Sequence, residues 1–409
     1  MRSARLVSAL AALAFSIALS GCGGGNSTGE TDRSGSEVPT AQATQASSTP
    51  TPERIPTLAN SGPSPSDLLG ALLTPGDVAT GAAAASLWQG FPEVSAGGYN
   101  LDPSVPQDKG EVAWVFVEWA VPGAKDGDPV RGRLRQSLQL FKDESSAIAA
   151  QKSHVQADVD NFGAKVVPGS LIGDESVYLQ LSDSANKETP YVVTARFRVG
   201  KLVGRIETAR ATEYDRTETL GPMGRALAAR MTVALDGTLV AKPLRPQLAE
   251  LMPPPSAAAG VGPQLAEVLR PPEAFALLSA GGKYFTIRSR LEASGVTELG
   301  WRAYGLDADK TQFVTATLFP MSNATAAQSW VGGLKADPAH KSDQVDPGKT
   351  GTSSVFVTNG GKLFELQFSK GKVVASVVCR SMVDVANTSA RCEGAVRKLA
   401  EAWYAALPE

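Results

Sequence analysis

A nucleophilic serine is the first chemistry that short motifs of this sequence suggest. Gly25-Asn26-Ser27-Thr28-Gly29 fits the G-x-S-x-G pattern, in which a sharp turn between a strand and a helix presents the serine hydroxyl. Here the motif lies in a run of small and polar residues that cannot hold a nucleophile in place. We therefore do not expect Ser27 to be catalytic.

A second motif, Lys349-Thr350-Gly351-Thr352, resembles the K-T-G strand of penicillin-binding proteins. Those enzymes also need a Ser-x-x-Lys that opens a buried helix, so that the lysine can activate the serine. The candidates are Ser184-Ala185-Asn186-Lys187, in a polar loop, and Ser369-Lys370-Gly371-Lys372, at a hairpin, and neither opens a helix. A turn before a strand is the favoured interpretation, and a cell-wall-directed serine hydrolase is the alternative function.

Metal and cofactor sites lack the residues that they need. The two histidines, His154 and His340, have no His or Cys partner at ligand spacing. The acidic triplets Asp126-Gly127-Asp128 and Asp307-Ala308-Asp309 do not continue into a calcium-binding loop, because the sixth place is not glycine. No dinucleotide or phosphate-loop motif occurs. We expect no metal, no cofactor and no catalytic residue.

The N-terminus carries an export signal. Met1–Arg5 contains two arginines, Leu6–Ala18 is apolar or small, and Leu19-Ser20-Gly21-Cys22 follows. This ending resembles the lipobox of bacterial lipoproteins. The resemblance implies that residues 1–21 are removed, that a diacylglycerol is attached to Cys22, and that the chain is anchored on the extracytoplasmic side of the membrane. The alternative is an ordinary signal peptide with an incidental cysteine.

Composition divides the remaining chain. The 409 residues carry a net charge of −2, which excludes a strongly basic nucleic-acid binder. Residues 22–66 are rich in Gly, Ser, Thr and Pro and predict a disordered tether. Residues 241–261 predict a Pro-rich linker.

An internal repeat organises the two parts that are left, 67–240 and 262–409. Leu140-Phe141 recurs as Leu318-Phe319, 178 positions later, and Trp114 faces Trp301. Gly200-Lys201 and Gly371-Lys372 lie between matching apolar alternations, so each predicts a tight hairpin. We interpret the repeat as two copies of one domain.

Each copy shows the same order of elements, α-β-β-α-β-β-β-α. Consecutive strands joined by short turns predict an antiparallel sheet, and we expect the helices to cover one face of it. Asp143 and Ser322 are the expected N-caps of the two middle helices. The fold class is α+β, in two tandem copies. This outline resembles the small α+β modules of bacterial envelope lipoproteins, actinobacterial ones included.

The three cysteines divide into one anchor and one pair. If Cys22 is lipidated, Cys379 and Cys392 remain, and export supplies an oxidising environment. We expect them to form a disulfide at the end of the last strand and the start of the last helix.

Two surfaces could bind a ligand. Trp114, Phe116 and Trp119 could form a stacking strip, but flanking valines favour a buried strand that is apolar on both faces. Five arginines fall on outward positions of neighbouring strands in the first copy: Arg133, Arg135, Arg196, Arg198 and Arg205. The matching positions in the second copy are Thr311, Phe313, Gln367, Ser369 and Ser376. Such a face could attract an anionic partner, unless Glu207 and nearby acids balance it.

The sequence therefore predicts a membrane-anchored extracytoplasmic lipoprotein that acts as a non-enzymatic binding or interaction module of the cell envelope. The expected partners are the membrane through Cys22 and, through the arginines, anionic envelope lipid or polymer or another envelope protein. A solute-binding subunit is disfavoured, because such proteins alternate strands and helices.

Overall fold

In the computed structural model, the first copy is an eight-stranded sheet with two long helices. Throughout the chain the structure describes residues 62–73, 88–89, 93–96, 110–121, 123–128, 131–182, 187–215, 217–239, 244–258, 261–262, 264–272, 275–276, 284–306, 313–337, 341–358, 363–380 and 386–408. The elements of the first copy are α1 (Pro65–Ala71), β1 (Trp88–Gln89), β2 (Glu93–Ala96), β3 (Glu111–Val121), β4 (Gly132–Phe141), α2 (Glu144–Phe162), β5 (Lys165–Val167), β6 (Glu175–Ser182), β7 (Tyr191–Val199), β8 (Leu202–Arg210) and α3 (Thr217–Leu235).

The second copy is a seven-stranded sheet preceded by two short helices. Its elements are α4 (Pro246–Ala249), α5 (Pro255–Ala258), β9 (Gln264–Arg270), α6 (Tyr284–Ala293), β10 (Leu299–Gly305), β11 (Phe313–Pro320), α7 (Ala324–Lys335), β12 (Gln344–Val345), β13 (Ser354–Val357), β14 (Leu363–Lys370), β15 (Val373–Arg380) and α8 (Ala386–Ala406). A 3₁₀ turn, Lys341–Asp343, precedes β12.

Six strands of each sheet follow the same order, so the prediction of two tandem α+β copies is confirmed. In the first sheet the strands run in the order β3-β4-β8-β7-β6-β5, and in the second β10-β11-β15-β14-β13-β12. The hairpin glycines Gly200 and Gly371 join corresponding strands and have nearly equal φ angles of 54° and 53°. A left-handed φ of this kind favours glycine over any residue with a Cβ.

The expectation that the helices cover one face of each sheet is wrong. In the first copy, α3 packs on Val193, Ala195 and Phe197 of β7, whereas Asp158 of α2 binds Arg196 of the same strand. Because alternate residues of a strand point to opposite faces, α2 and α3 lie on opposite sides of the sheet. We call these sides the α2 face and the α3 face. The second sheet likewise has an α7 face and an α8 face.

The strand pairing also corrects the alignment of the repeats. Leu138 lies opposite Gly204, and Leu318 lies opposite Ala375. Gly204 and Ala375 are equally far beyond the hairpin glycines, so Leu318 corresponds to Leu138 and not to Leu140. The shift in this strand is therefore 180 positions instead of 178.

The same two-residue correction changes which residues of the two copies correspond to each other. Asn323, and not Ser322, caps α7: its Oδ1 accepts a hydrogen bond from Ala326 N at 2.8 Å. Asp143 caps α2 as expected. By the same pairings the counterpart of Trp301 is Phe116 instead of Trp114.

Parts of the predicted tether and of the predicted Pro-rich linker belong to the folded domains. Ser64 caps α1 with a capping box to Asp67, so the fold begins before residue 67. In the region predicted as a linker, Leu244, Leu248 and Met252 are buried in the core of the second copy. Apolar burial of this kind holds the segment against the domain instead of leaving it as a spacer.

Helix α1 lies between the two copies. It contacts α3 and β3 of the first copy and β9 of the second, and Ser66 Oγ accepts a hydrogen bond from Glu267 N at 3.1 Å. A second connection runs from Asp126, whose carboxylate accepts hydrogen bonds from the backbone of Phe285 and Thr286 in the first turn of α6. A carboxylate at this place satisfies amides that the helix leaves unpaired. The acidic triplet at Asp126 is thus a turn, as expected, and it binds the other copy.

Candidate functional site

The five arginines predicted as a site lie together on the α2 face of the first sheet. We call Arg133, Arg135, Arg196, Arg198 and Arg205 the arginine face. The strand alternation places them there as expected, but α2 packs over β7 and β8 on this same side. Arg196 and Arg198 are consequently buried.

The outer half of the arginine face is a ladder of alternating charges across three strands. Arg135 Nε donates to Glu118 Oε2 at 2.6 Å, and its Nη1 donates to Glu207 Oε1 at 2.8 Å. Arg133 is paired with Glu118, and Arg205 is paired with Glu207. Each carboxylate therefore neutralises two guanidinium groups.

The other two arginines of the arginine face, Arg196 and Arg198, form ion pairs with acids from α2 and from the turn before β6. Arg196 binds Asp158 through two hydrogen bonds, of 2.6 and 3.2 Å. Arg198 Nη1 donates to Glu144 Oε1 at 2.7 Å and to Asp174 Oδ2 at 3.1 Å. These are charge-assisted hydrogen bonds in a partly desolvated position, where they are stronger than on open surface.

Glu207 is the centre of the ladder. Burial by itself would raise the pKa of its carboxyl, but the charges of Arg205 and Arg135 and hydrogen bonds from Arg135 and Thr194 lower the pKa to about 2. Burial and the neighbouring charge of Arg205 lower the pKa of Arg196, which lies directly opposite Arg205 on the paired strand. Two like charges in cross-strand contact are unfavourable unless acids separate them.

Carboxylates balance the positive charge of the arginine face. The five guanidinium groups contact six carboxylates among the described residues: Glu118, Glu144, Asp158, Asp174, Glu188 and Glu207. An anion would meet no uncompensated potential. Of the two alternatives for this face, the one in which Glu207 and nearby acids balance the arginines is the arrangement in the structure.

The second copy replaces this ladder with uncharged groups. The corrected counterparts of Arg133 and Arg135 are Phe313 and Thr315. The counterparts of Arg196, Arg198 and Arg205 are Gln367, Ser369 and Ser376, as expected. There, Gln367 Nε2 and Ser376 Oγ donate to the buried Glu365 at 2.6 and 2.9 Å.

Trp114 and Phe116 also lie on the α2 face, beside the ladder. Their rings are nearly parallel, with an interplanar angle of 8° and centroids 5.8 Å apart. Both are partly exposed, whereas Trp119 points to the α3 face and is buried. The expectation that β3 is buried on both faces is thus wrong for the side that carries Trp114 and Phe116.

Cys379 and Cys392 are joined in the structure, with Cα atoms 5.4 Å apart. The bond links the end of β15 to the second turn of α8, and both cysteines are fully buried among apolar residues. It has no counterpart in the first copy, where Thr208 stands at the place of Cys379 on the corresponding strand.

Removing this disulfide is expected to lower the free energy of unfolding by about 2–4 kcal/mol, because the closed loop restricts the unfolded chain. The variant is the double replacement Cys379→Ala and Cys392→Ala, measured by urea denaturation. The matched comparison is urea denaturation of the wild-type chain in a reducing buffer, where its free energy of unfolding should fall by the same amount. Equal unfolding free energies for the oxidised and reduced chains would contradict the expectation.

The lysine motif of the second copy forms a turn packed on α8. Thr350 is buried, and its Oγ1 donates to Pro347 O at 3.1 Å. Gly351 has a φ of 76°, and a Cβ there would come within 2.4 Å of Tyr404 Oη. Lys370 Nζ donates to Tyr404 O at 3.0 Å, and Ser369 Oγ donates to Ser353 Oγ at 2.7 Å. The favoured interpretation as a turn before a strand agrees with this geometry.

The remaining sequence candidates fall outside these clusters. His154 lies within α2, and Cys22, Ser27, Asp307 and His340 lie outside the described residues. Within the described ranges, no three His, Cys, Asp or Glu side chains gather as metal ligands would. The helices of those ranges are all too short or too polar to span a bilayer.

Comparison with known proteins gives distant structural similarities. No protein-family model and no curated protein sequence matches the chain. The extracellular domain of PknH from Mycobacterium tuberculosis is 16% identical, with a TM-score of 0.32, over 42% of this chain and 97% of that domain. MucB in complex with MucA(peri) is 11% identical, with a TM-score of 0.14, over 80% of this chain and 97% of that one. Scores this low carry no argument about what this chain binds.

Proposed function

We propose that this chain is a lipid-anchored, extracytoplasmic lipoprotein whose paired α+β domains act as a non-enzymatic binding or interaction module of the cell envelope. The signal sequence and lipobox, the polar segment that follows Cys22 and the disulfide between Cys379 and Cys392 support this proposal. Disulfides of this kind persist in oxidising compartments outside the cytoplasm.

The observation that carries the proposal is the different use of one sheet face in the two copies. On the α7 face of the second sheet, Trp301, Ala303 and Phe313 are buried in a cluster that includes Leu68 and Leu69 of α1. This face thus binds an element of the other copy. On the α2 face of the first sheet, the same region keeps partly exposed aromatic and charged side chains. A face that binds in one copy and is left accessible in the other suits an interaction module.

The balance of charge on the arginine face changes which partners we propose. With every guanidinium group of the face paired to a carboxylate, a purely electrostatic attachment to anionic lipid or polymer has little support. Contact with the membrane is proposed through lipid on Cys22, and the first sheet is proposed to bind another envelope component.

The test against the serine-hydrolase alternative is covalent labelling. The full chain, purified in detergent, would be incubated with a fluorescent β-lactam and, separately, with a fluorophosphonate probe. We expect no labelling by either probe under conditions that fully label a penicillin-binding protein. Labelling that is lost on Ser369→Ala or Lys349→Ala would establish the hydrolase and overturn the proposal.

A further inference from the structure

The aromatic pair of β3, Trp114 and Phe116, is unusual in its position. Helix α2 covers β4, β7 and β8, so β3 lies at the margin of the helix and the two rings remain partly exposed. Outward positions on a solvated strand are ordinarily polar, because exposed apolar area is unfavourable in water. Two adjacent, nearly parallel aromatic rings at such positions are typical of a binding surface.

The rings lie beside hydrogen-bonding residues at fixed positions on the neighbouring strands. Trp114 faces Gln139 across the strand pair, Phe116 faces Ser137, and Ser137 in turn faces Arg205 on β8. The Arg205 side chain is about one-third exposed, and Gln139 Nε2 donates to Glu111 Oε2 at 2.9 Å. The rings are therefore bordered by an amide, a hydroxyl and a partly exposed guanidinium group.

The corresponding surface of the second copy packs on the apolar helix α1, and its residues show why the Trp114–Phe116 surface does not bind such a helix. Trp301, at the place of Phe116, is fully buried in the cluster around α1, with Phe313 at the place of Arg133. An apolar helix such as α1 fits that apolar face. The same helix on the first sheet would cover Glu118, Arg133 and Arg135 and desolvate their charges, which is costly.

We propose that the Trp114–Phe116 surface binds a neutral carbohydrate of the cell envelope. The aliphatic C–H groups on one side of a sugar ring pack against an aromatic ring, whose face is electronegative. The sugar hydroxyls need both donors and acceptors, and the guanidinium group of Arg205, the hydroxyl of Ser137 and the amide oxygen of Gln139 lie on paired positions of neighbouring strands. The near-complete pairing of the ladder charges suits a ligand without charge. This inference rests on the proposed function and names the ligand class for it.

The test is binding of the full chain, purified in detergent, to immobilised dextran, mannan and arabinogalactan. Polygalacturonate and anionic phospholipid vesicles serve as the charged probes. We expect binding to at least one neutral polysaccharide, unchanged between 0.05 and 0.5 M NaCl because no ion pair with the ligand is formed. Trp114→Ala should weaken that binding at least tenfold. Phe162→Ala, which removes an aromatic ring 51% exposed at the far end of α2, should leave it unchanged.

A second variant keeps the test decisive if Trp114→Ala fails to fold. Ser137→Gln adds bulk between Phe116 and Arg205 without removing any packed group, and it should also weaken binding at least tenfold. Binding to no neutral polysaccharide, or salt-sensitive binding to the charged probes alone, would overturn the inference. Either result, without labelling by the serine-directed probes, leaves the proposed interaction module intact.

Discussion

Glu207→Gln is expected to lower the free energy of unfolding by about 3–5 kcal/mol. Glu207 is fully buried and neutralises both Arg135 and Arg205, so the neutral amide would leave two guanidinium groups without their shared counter-charge. Breaking a buried ion pair by removing one partner has a cost of this size. The measurement is urea denaturation at pH 7, followed by circular dichroism.

Glu188→Gln is the matched control. Glu188 reaches Arg133 at 3.4 Å from a position where its side chain is 47% exposed, and exposed pairs of this kind contribute little. Its loss should change the unfolding free energy by less than about 0.5 kcal/mol. If both variants lose less than about 0.5 kcal/mol of unfolding free energy, Glu207 is not the centre of a buried network of ion pairs.

Acid should destabilise the wild-type chain in part through the same residue. The pKa of Glu207 falls from its usual 4.5 in the unfolded chain to about 2 in the folded protein. Its contribution to stability is therefore complete above about pH 4.5 and is lost progressively as the pH falls towards 2. The difference in unfolding free energy between the wild-type chain and Glu207→Gln should shrink between pH 5 and pH 3. A difference that stays constant over this range would contradict the lowered pKa.

Much of the fold could be predicted from the sequence, because the signals are local. Alternation in β7 and β14 and the glycines at positions 200 and 371 define the hairpins without tertiary information. Apolar spacings of three and four gave the last helix of each copy, where Met231 and Trp403 are fully buried. The pairing of Cys379 with Cys392 needed only the cysteine count and the compartment.

Strand register could not be predicted, for a simple geometric reason. A slip of two residues leaves every side chain on the same face of the sheet, so the apolar pattern of β11 fits shifts of 178 and 180 equally well. Matching Leu140-Phe141 to Leu318-Phe319 therefore selected the wrong one. The N-cap at Asn323 is the signal that distinguishes them, because Asp143 lies 180 positions before it.

The pairing of each arginine of the arginine face with a particular carboxylate could not be predicted from the sequence, for a different reason. Alternation along a strand predicts which side chains point away from the core on one face of the sheet. It does not tell whether a helix covers the opposite face. Here α2 is that layer, and its acids Glu144 and Asp158 bind Arg198 and Arg196. The buried acid Asp158 in the helix between the strands is the residue that could have indicated this layer, because a buried charge is normally paired with an opposite charge. The sequence allows a stacking strip of Trp114 and Phe116 but disfavours it, because the valines on both sides of them favour a buried strand.

Cys22→Ala is expected to abolish attachment of the protein to membranes. The apolar run Leu6–Ala18 is too short to act as a stable transmembrane anchor, so lipid on Cys22 is the anchor that we propose. Two or three acyl chains give stable binding, whereas a single chain binds only marginally, with an association constant of about 10⁴ M⁻¹. Without them the folded domains should appear in the soluble extracytoplasmic fraction. The measurement is the distribution of the chain between membrane and soluble fractions after an alkaline wash.

Lipid attachment itself separates this outcome from a change in signal cleavage. Cells grown with an alkyne-bearing fatty acid should give a labelled wild-type chain and an unlabelled Cys22→Ala chain. The double variant Cys379→Ala and Cys392→Ala is the control: it also loses cysteines, but only the pair that forms the disulfide, and it should keep its label. A Cys22→Ala chain that carries label, or that stays in the membrane fraction with its signal removed, would show that another group anchors it. A chain released and unlabelled ties membrane attachment to Cys22, and the segment after it then links the lipid to the domains that begin at Ser64.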